Sequence, residues 1–496
     1  MQKKLTGCIF LNRSYVHWQH ALVLDLQKRY GVDKWCGYGY GRAAYEINDH
    51  QKDINYEPLL IDDFLSLEAK DEVVDLEYLK AKEKEYGHPN LWQEFINDRF
   101  TSINWPRQFY PRFNPTLNHY EILQQFQLRI KKIEEMLDQT KPDFVLFADA
   151  GAMGVNLLYY IAKKKGIPAL VLTFTRFSGL SGFTDNLFGT FNRMENIFRK
   201  IQSKEYKNPK REKAIAWIEK FRSKPTKPDY ISSEFWNKSK QSLVRQLVLF
   251  GKNFIRKCID YFDKSFPAVY NYSPLDFVRH HLLFWFNTYR HKRIKFDKPD
   301  YNEPYVFLAL NSEPEISLLM QAPFFSDQAW VIRTIAESLP LNLKLYVKDH
   351  PSMLGYRDPK FYKEIRKFPN IKLIDIKTDS IPLIKNARLV TTITGSVGFE
   401  AILFRKPVIV FGSVNYEILS FVRKCKTPEE LPNMVQEILE NYKYNEEELV
   451  DFVSALLEDS FQVDLTNLIS ERDPEKLKQN PDIQLISDAA MKYLTN

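Results

Sequence analysis

The sequence predicts an α/β protein with two open, mostly parallel sheets and a helical insertion between them. Short apolar runs recur along the chain, with helical patterns between them. The runs lack the alternation of apolar and polar residues that marks a half-exposed strand, so they are typical of strands buried in a parallel sheet. The chain has 496 residues, more than the roughly 250–300 residues that usually fold around a single hydrophobic core. Residues 201–300 hold 22 Lys and Arg against 10 Asp and Glu, within a chain of net charge +7. We therefore predict domains at 1–200 and 301–425, a basic segment at 201–300, and C-terminal helices at 426–496.

The second domain has the clearer pattern. The predicted buried strands are 305–310, 343–347, 371–376, 389–393 and 407–411. The predicted crossover helices are 327–338, 362–368, 381–386 and 397–404. This alternation predicts a β-α-β-α domain with a parallel sheet.

The first half has a sparser version of the same pattern. Its predicted strands are 6–11, 144–148 and 169–174, with a helix at 157–165. Residues 49–118 are charged, aromatic and without a clear period, so we expect loops and short helices there.

Polar residues gather after three predicted strands of the second domain, at 311–315, 348–351 and 394–400. Because ligands of open α/β sheets bind at the carboxyl ends of the strands, we expect these groups in one crevice. Gly395 allows close backbone approach, and Ser396 can cap a helix whose first N–H groups favour an anion such as phosphate. A tight turn with a cap would explain this pair alone, but three coincident clusters favour a ligand site.

The motifs Glu313-Pro314-Glu315, Lys348-X-His350-Pro351 and Thr-Gly-Ser-Val-Gly-X-Glu-Ala at 394–401, followed by 407–412, resemble the bacterial capsule polysaccharide biosynthesis family. That family includes retaining β-Kdo transferases. The first half matches only in layout. The resemblance implies a GT-B-like fold, in which two Rossmann-like domains face a central cleft and a final helix often returns to the first domain. Family members commonly have Gln-Pro-Glu where this chain has Glu313, so an extra carboxylate bears on donor identity.

The resemblance implies a glycosyltransferase that uses a nucleotide-activated sugar, with CMP-Kdo as the donor that the family suggests. Lys348 and His350 would counter phosphate charge, with His350 also a catalytic candidate. Glu315 would bind sugar or ribose hydroxyls and is a second catalytic candidate. The predicted donor-binding residues are Lys348, Thr394, Gly395, Ser396, Glu400 and Arg176.

Asp149 is the third catalytic candidate. It follows a predicted buried strand and precedes mostly small residues, which leave space beside its carboxylate. Such a carboxylate can attack an anomeric carbon or accept a proton from an acceptor hydroxyl. In retaining β-Kdo transferases an aspartate of the first domain is understood to be the nucleophile, and Asp149 looks most similar to it. The alternative is that Asp149 caps the following helix.

Arg13, His20 and Arg176 are further candidates in the first half. Arg13 follows the first strand, and His20 could share a helical face with His17, a pair that is more often structural than metal-binding. We predict Arg13 and His20 on the acceptor side. Arg176 follows a strand and can bind a carboxylate or phosphate bidentately, or pair with Asp185.

The basic segment contains an amphipathic pattern between residues 236 and 295. Its apolar positions at helical spacing are Trp236, Leu243, Leu247, Phe250 and Phe254, and its intervening cations are Lys238, Lys240, Arg245, Lys252, Arg256 and Lys257. An apolar run at 282–286 follows, with cations at 290–295. A helix on an anionic membrane surface has this composition, and so has a helix that packs on the core. Nucleic acid is not expected as a partner, because no nucleic-acid-binding motif accompanies the charge.

Location and cofactors follow from what the sequence lacks. It has no signal-peptide core and no apolar run of membrane-spanning length, and its four cysteines are far apart. We expect a cytoplasmic protein at the inner face of the plasma membrane, with a lipid-linked or oligosaccharide acceptor. No metal cofactor is expected, because no Asp-X-Asp pair stands at a strand end and a helix N-terminus with basic side chains can bind phosphate.

Two other functions remain open. One is a teichoic-acid-like polyol-phosphate transferase, which also combines a GT-B fold with a basic surface. The other is a non-catalytic scaffold that binds glycan within the capsule assembly machinery. The scaffold predicts no nucleotide binding.

Overall fold

The computed structural model describes residues 4–87, 90–103, 114–148, 150–176, 179–225, 243–267 and 272–495. Its first strands are β1 (Leu5–Asn12), β2 (Val32–Tyr40), β3 (Tyr56–Ile61), β4 (Phe144–Phe147), β5 (Ala169–Phe174) and β6 (Leu180–Thr184). The later strands are β7 (Tyr305–Ala309), β8 (Lys344–Lys348), β9 (Ile371–Ile374), β10 (Leu389–Thr392), β11 (Val408–Val410), β12 (Val422–Lys424) and β13 (Phe461–Gln462).

The strands form two Rossmann-like sheets in the described part of the chain. The first has the order β13-β6-β5-β4-β1-β2-β3, parallel from β3 to β5, with β6 and β13 antiparallel at one edge. The second is parallel throughout, in the order β12-β11-β10-β7-β8-β9. Relative to the first strand of each sheet, the parallel strands follow the doubly wound order 3-2-1-4-5. The predicted α/β fold with two Rossmann-like domains is confirmed.

Helices cover the faces of both sheets. Those before residue 225 are α1 (Val16–Tyr30), α2 (Arg42–Tyr45), α3 (Ile47–His50), α4 (Asp62–Glu68), α5 (Leu76–Tyr86), α6 (Trp92–Asn97), α7 (His119–Thr140), α8 (Met153–Lys164), α9 (Asn192–Gln202) and α10 (Arg211–Ser223). The later helices begin with α11 (Leu243–Phe262), α12 (Pro274–His291), α13 (Ile316–Leu319), α14 (Gln328–Ser338), α15 (Pro359–Ile365), α16 (Ser380–Asn386) and α17 (Ser396–Leu403). The C-terminal helices are α18 (Leu431–Asn441), α19 (Glu446–Glu458), α20 (Leu465–Ser470), α21 (Pro474–Lys478) and α22 (Pro481–Thr495).

The strands predicted from continuous apolar runs are present, with ends that differ by one or two residues. The sequence did not reveal β2 and β3, and β3 lies inside the stretch expected to lack strands. Gly37 and Gly39 interrupt β2, and Pro58 interrupts β3, so the apolar pattern of both is broken. The short edge strands β6, β12 and β13 were also not predicted, because two to five residues carry little periodic signal.

The chain crosses between the two domains more than once. Helices α9 and α10 pack on the second domain through Phe198, Ile218 and their neighbours in the same core as α19. The last helices return to the first domain, where Ile483 and Ile486 of α22 join a core with residues of α1. Within the C-terminal segment 426–496, α18 and α19 therefore pack on the second domain, and the helices after β13 belong structurally to the first.

Within the basic segment 201–300, α10 packs on the second domain, and α11 and α12 form a helical hairpin. Phe250 of α11 contacts Phe277 and Trp285 of α12, with ring centroids 5.5 and 5.6 Å apart. A capping box of Ser273 and Asp276 starts α12. The predicted positions Trp236, Lys238 and Lys240 lie outside the described residues.

The two domains contact each other through residues 314–320. The side chain of Arg99 donates to the Pro314 carbonyl over 3.3 Å, and Gln93 donates to the Leu319 carbonyl over 3.0 Å. Met320 lies in the core of the first domain. The carboxyl edge of the second sheet therefore faces the first domain across a cleft.

Candidate functional site

A cavity of about 660 Å³ lies in this cleft. The second domain lines it with the segments after β7, β8, β9 and β10, and the first domain with residues near the end of β5. Eight residues predicted from the sequence line this cavity, namely Arg176, Glu315, Lys348, His350, Thr394, Gly395, Ser396 and Glu400. The carboxyl ends of the strands thus meet as an open α/β sheet requires.

Lys348 and His350 differ in the charge they bring to the cavity. Lys348 ends β8 and is only 7% exposed. Burial lowers the pKa of His350 to about 4, although the charge of Asp349 opposes the shift. Nδ1 of His350 lies 3.3 Å from the Ser352 amide nitrogen and 2.6 Å from the Ser352 hydroxyl oxygen, so Ser352 fixes the orientation of the ring. At neutral pH Lys348 therefore contributes a cation and His350 an uncharged imidazole.

An ion-pair network supports the His350 loop from behind. Nε of Arg357 donates to Oδ2 of Asp349 over 2.7 Å, and the Tyr362 hydroxyl donates to the same oxygen over 2.6 Å. The Arg357 side chain is fully buried and also pairs with Glu313, at 3.0 Å. Glu313 contacts Arg357 and does not line the cavity. The geometry therefore does not support the expected effect of this carboxylate on donor identity.

The first turn of α17 presents backbone amides to the cavity. The Thr394 hydroxyl donates to the Ser317 carbonyl and accepts from Asn311, both over 2.9 Å. The Gly395 N–H donates to Oγ1 of Thr392 over 2.9 Å, and a Cβ at Gly395 would lie 2.7 Å from that oxygen. Thr394 and Gly395 thus hold the loop in place. The amides of Ser396 and the next residue begin the helix and have no acceptor within it.

Glu315 of the second domain and Arg176 of the first both line the cavity, and their charges interact. Surrounding protein atoms raise the pKa of the solvent-accessible Glu315 carboxyl, while hydrogen bonds from Ser312 and Ser317 and the charges of Arg99 and Arg176 oppose the shift. Arg176 has φ +68 and donates to the Gln321 side chain. Glu315 thus keeps a proton to higher pH than an ordinary glutamate, which suits an acid or a hydroxyl-binding group.

Three other predicted residues lie elsewhere or are not described. The Arg13 guanidinium lies over the Phe100 ring, 4.6 Å from its centroid, and Arg13 does not line the cavity. His20 is buried between α1 and β3, with Nδ1 2.8 Å from the Tyr56 hydroxyl. His20 therefore packs inside the first domain and lines neither cavity, and its acceptor-side role stays a prediction. Asp149 lies outside the described residues.

A second cavity of about 170 Å³ continues the cleft into the first domain. Ala148 and Ala150, the neighbours of Asp149, line it, and it shares Phe174 and Gln321 with the larger cavity. Its lining is mostly apolar, with Leu172 among the contributors. Ala148 and Ala150 therefore lie on the same cleft as the donor-side residues.

Buried carboxylates hold the segment that follows position 149. The Met153 N–H donates to Asp98 over 3.1 Å. Asn156 accepts from the Gly151 N–H over 3.1 Å and donates to Glu94 over 2.6 Å. Glu94 and Asp98 were not predicted, because they lie in the stretch without periodic pattern.

Sequence reasoning also missed the cavity wall at 376–381. Thr378, Asp379 and Ser380 follow β9, so the rule applied to the other strand ends would have found them. Tyr416, which donates to the Gly395 carbonyl over 2.6 Å, gave no signal because it is distant in sequence from the strand ends.

Within the part of the chain that the structure describes, no group of three or more His, Cys, Asp or Glu side chains is arranged to hold a metal ion. None of the described helices combines the length and apolar character needed to cross a membrane.

Residues 255–426 match the family described as capsule polysaccharide biosynthesis protein, which confirms the resemblance over that part of the chain. Protein FixF of Sinorhizobium fredii is 30% identical over 142 residues, which are 27% of this chain and 33% of that protein. The match thus spans one third of that relative.

Similar solved structures include the KpsC β-Kdo 2,7 transferase of Thermosulfurimonas dismutans, with 13% identity, a TM-score of 0.37, and coverage of 76% of this chain and 98% of that one. Another is HepE (Alr3699) of Anabaena in complex with UDP and glucose, with 12% identity, a TM-score of 0.29 and 99% of each chain covered.

Proposed function

We propose that this protein is a glycosyltransferase of capsule or other surface polysaccharide biosynthesis that takes its sugar from a nucleotide-activated donor. The observation that carries the proposal is the convergence of Lys348, the uncharged imidazole of His350 and the first residues of α17 on one cavity of about 660 Å³. One cation, one neutral imidazole and a helix N-terminus form a suitable set for a diphosphate or a phosphodiester.

Each wall of the cavity has a role in this proposal. Lys348, His350 and the α17 amides bind the donor phosphate, while Glu400 and residues 376–381 surround the nucleoside. Arg176 binds a carboxylate on the sugar, which is the group that a CMP-Kdo donor would present. No metal is needed in this arrangement, because fixed cations and backbone dipoles stabilise the leaving phosphate.

The reaction is proposed at the boundary of the two cavities. Asp149 either attacks the anomeric carbon, releasing the nucleotide, or removes the proton of the acceptor hydroxyl. The stereochemistry of the product distinguishes these roles. Glu315, whose pKa is raised by its surroundings, donates a hydrogen bond or a proton to the sugar. A lipid-linked or oligosaccharide acceptor enters from the first domain, at the cytoplasmic face of the membrane.

The test compares Asp149→Asn and Glu315→Gln in a transfer assay with a panel of nucleotide sugars and CDP-linked polyols. Both variants should lose about 100-fold or more in turnover while donor affinity, measured by calorimetry, stays within about threefold. Asp185→Asn, a change of the same kind at a half-buried aspartate that lines neither cavity, is the control. Wild-type turnover in Asp149→Asn would reject its catalytic role, and transfer only from CDP-linked polyols would favour the polyol-phosphate transferase.

A further inference from the structure

The helical hairpin formed by α11 and α12 leaves an apolar stripe exposed on each helix. On α11, Val248, Ile255, Ile259 and Phe262 are between 62% and 73% exposed. On α12, the exposed residues are Leu275, Leu282, Phe286 and Tyr289, each more than half exposed. Both sets have the spacing i, i+7, i+11 and i+14, which places each set on one helical face.

The internal packing of the hairpin does not use these stripes. Phe250 and Phe254 of α11 pack against Phe277 of α12, with centroids 5.5 and 6.2 Å apart. Lys257 is buried, with its ammonium 4.0 Å from the centroid of the Tyr272 ring. Phe250 and Phe254 thus pack inside the hairpin and are not among the described core residues of either domain, while a different set of apolar residues remains exposed.

Cations accompany both stripes. Lys252 and Arg279 occupy the i+4 position of the α11 and α12 stripes, and both are exposed. Arg256 is exposed one turn further along α11. Residues 243–295 contain ten Lys and Arg against three Asp and Glu. On an anionic bilayer, apolar stripes of this kind can enter the layer below the headgroups while the adjacent cations contact the negatively charged headgroups.

We propose that this hairpin docks on the surface of an anionic lipid bilayer, with Val248, Ile255 and Ile259 of α11 and Leu282 and Phe286 of α12 entering the acyl boundary. Exposed apolar patches of this kind mark interaction sites. The excess of cations selects a negatively charged partner, and a second copy of the equally basic hairpin would be repelled. A bilayer offers anionic headgroups and an apolar layer together.

The hairpin is attached directly beside the donor-side loop. Phe284 of α12 contacts Tyr356, with ring centroids 5.1 Å apart, and a Cβ at Gly355, which has φ +81, would collide with Thr288. Tyr356 and Gly355 follow the His350 segment by only a few residues. Docking of the hairpin therefore holds the second domain beside the bilayer. Bilayer binding itself does not depend on glycosyl transfer.

The test is sedimentation of the full chain with two kinds of vesicle, one of phosphatidylcholine alone and one with equal parts of phosphatidylcholine and phosphatidylglycerol. We expect wild type to bind only the mixed vesicles. Ile255→Ser/Ile259→Ser and Lys252→Glu/Arg256→Glu should each weaken the partition coefficient by at least about tenfold. Lys257 is left unchanged because it is buried.

Two matched controls test whether any loss is specific to the hairpin. Val73→Ser/Leu341→Ser removes exposed apolar side chains elsewhere, and Lys80→Glu/Lys84→Glu reverses two exposed charges on α5. Both should bind like wild type. Hydrogen exchange of wild type provides a readout without variants, since the mixed vesicles should slow exchange in residues 243–291.

Three results would overturn the proposal. The first is wild type that binds neither vesicle, and the second is hairpin variants that bind as tightly as wild type. The third is a dimer in sedimentation velocity that Ile255→Ser/Ile259→Ser dissociates, because the stripes would then be an interface between copies. A protein that binds vesicles but no nucleotide would leave this inference intact while removing the proposed function.

Discussion

The two domains have the same order of parallel strands, but the buried residues that pack around these strands have different roles. Each contains a buried Asp–Arg pair, Asp62 with Arg129 in the first domain and Asp349 with Arg357 in the second. Asp349 directly precedes the cavity residue His350, whereas Asp62 is fully buried beneath α7. The same stabilising device therefore supports only the fold in the first domain and supports the cavity as well in the second.

A second shared device is a glycine in the helix that follows the fourth strand of each sheet. A Cβ at Gly154 of α8 would overlap the Tyr38 hydroxyl, and one at Gly398 of α17 would overlap the Tyr416 hydroxyl. Tyr38 hydrogen bonds to Asp62 inside the first domain, while Tyr416 bonds to the loop before α17. The two domains thus share the packing of a glycine against a tyrosine. In the second domain this packing also supports the loop that carries donor-side residues.

The largest expected effect comes from removing the buried guanidinium in each domain. Arg129→Met and Arg357→Met each remove the cationic partner of a buried aspartate and should cost about 3–5 kcal/mol of stability in urea unfolding. Arg357→Met should also weaken nucleotide binding, and Arg129→Met should not.

The matched control is Arg366→Met, because its pair with Asp297 is solvent-exposed and should contribute less than about 1 kcal/mol. Equal nucleotide affinity in folded Arg129→Met and Arg357→Met would contradict the difference drawn between the two domains.

The next effect is overpacking at the paired glycines. Gly154→Ala and Gly398→Ala should each lower stability by about 1–3 kcal/mol, since the methyl group meets a tyrosine hydroxyl held by a hydrogen bond. Gly251→Ala, in the middle of α11 with open space around it, should raise stability by about 0.5–1 kcal/mol. Melting temperatures measure all three. An unchanged value for Gly398→Ala would show that Tyr416 moves freely.

A smaller effect separates the two buried histidines by pH. Burial lowers the pKa of both His20 and His350 to about 4, below the value near 6.5 of an unfolded chain. The unfolded state binds more protons between these values, so this contribution is complete above pH 6.5 and is lost as the pH falls towards 4. His20→Gln and His350→Gln should each reduce acid sensitivity in that window.

Nucleotide binding should distinguish the same two histidines. A phosphate beside His350 favours the protonated ring, so affinity should rise as the pH falls from 7 to 5 in wild type and in His20→Gln. His350→Gln should lose this rise. Calorimetry at the two pH values measures it, and an unchanged rise in His350→Gln would place the phosphate elsewhere.

The smallest effect is expected at the position where the motif departs from the family. Glu313→Gln keeps the shape of a side chain that contacts Arg357 and does not line the cavity. Nucleotide affinity should change by less than about twofold, with a modest loss of stability from the weaker pair. A change of donor preference in this variant would show that Glu313 acts at the donor.

The sequence revealed the second domain more fully than the first for a physical reason. Strands buried on both faces are continuous apolar runs, so β7 to β11 stand out, and so do the polar residues after β7, β8 and β10. In β2 and β3, Gly37, Gly39 and Pro58 break that pattern. The pairing of Arg357 with Glu313 depends on contacts 44 residues apart in the chain, which no local pattern encodes.

The central claim is a nucleotide site in the second domain, and a thermal-shift panel of CMP, CDP, UDP, GDP and ADP tests it most directly. A ligand that binds only the folded state raises the melting temperature. The account predicts that one nucleotide stabilises wild type and the matched control His20→Ala but not His350→Ala. A flat panel, or an equal shift in His350→Ala, would contradict the site, and a flat panel would favour the non-catalytic scaffold.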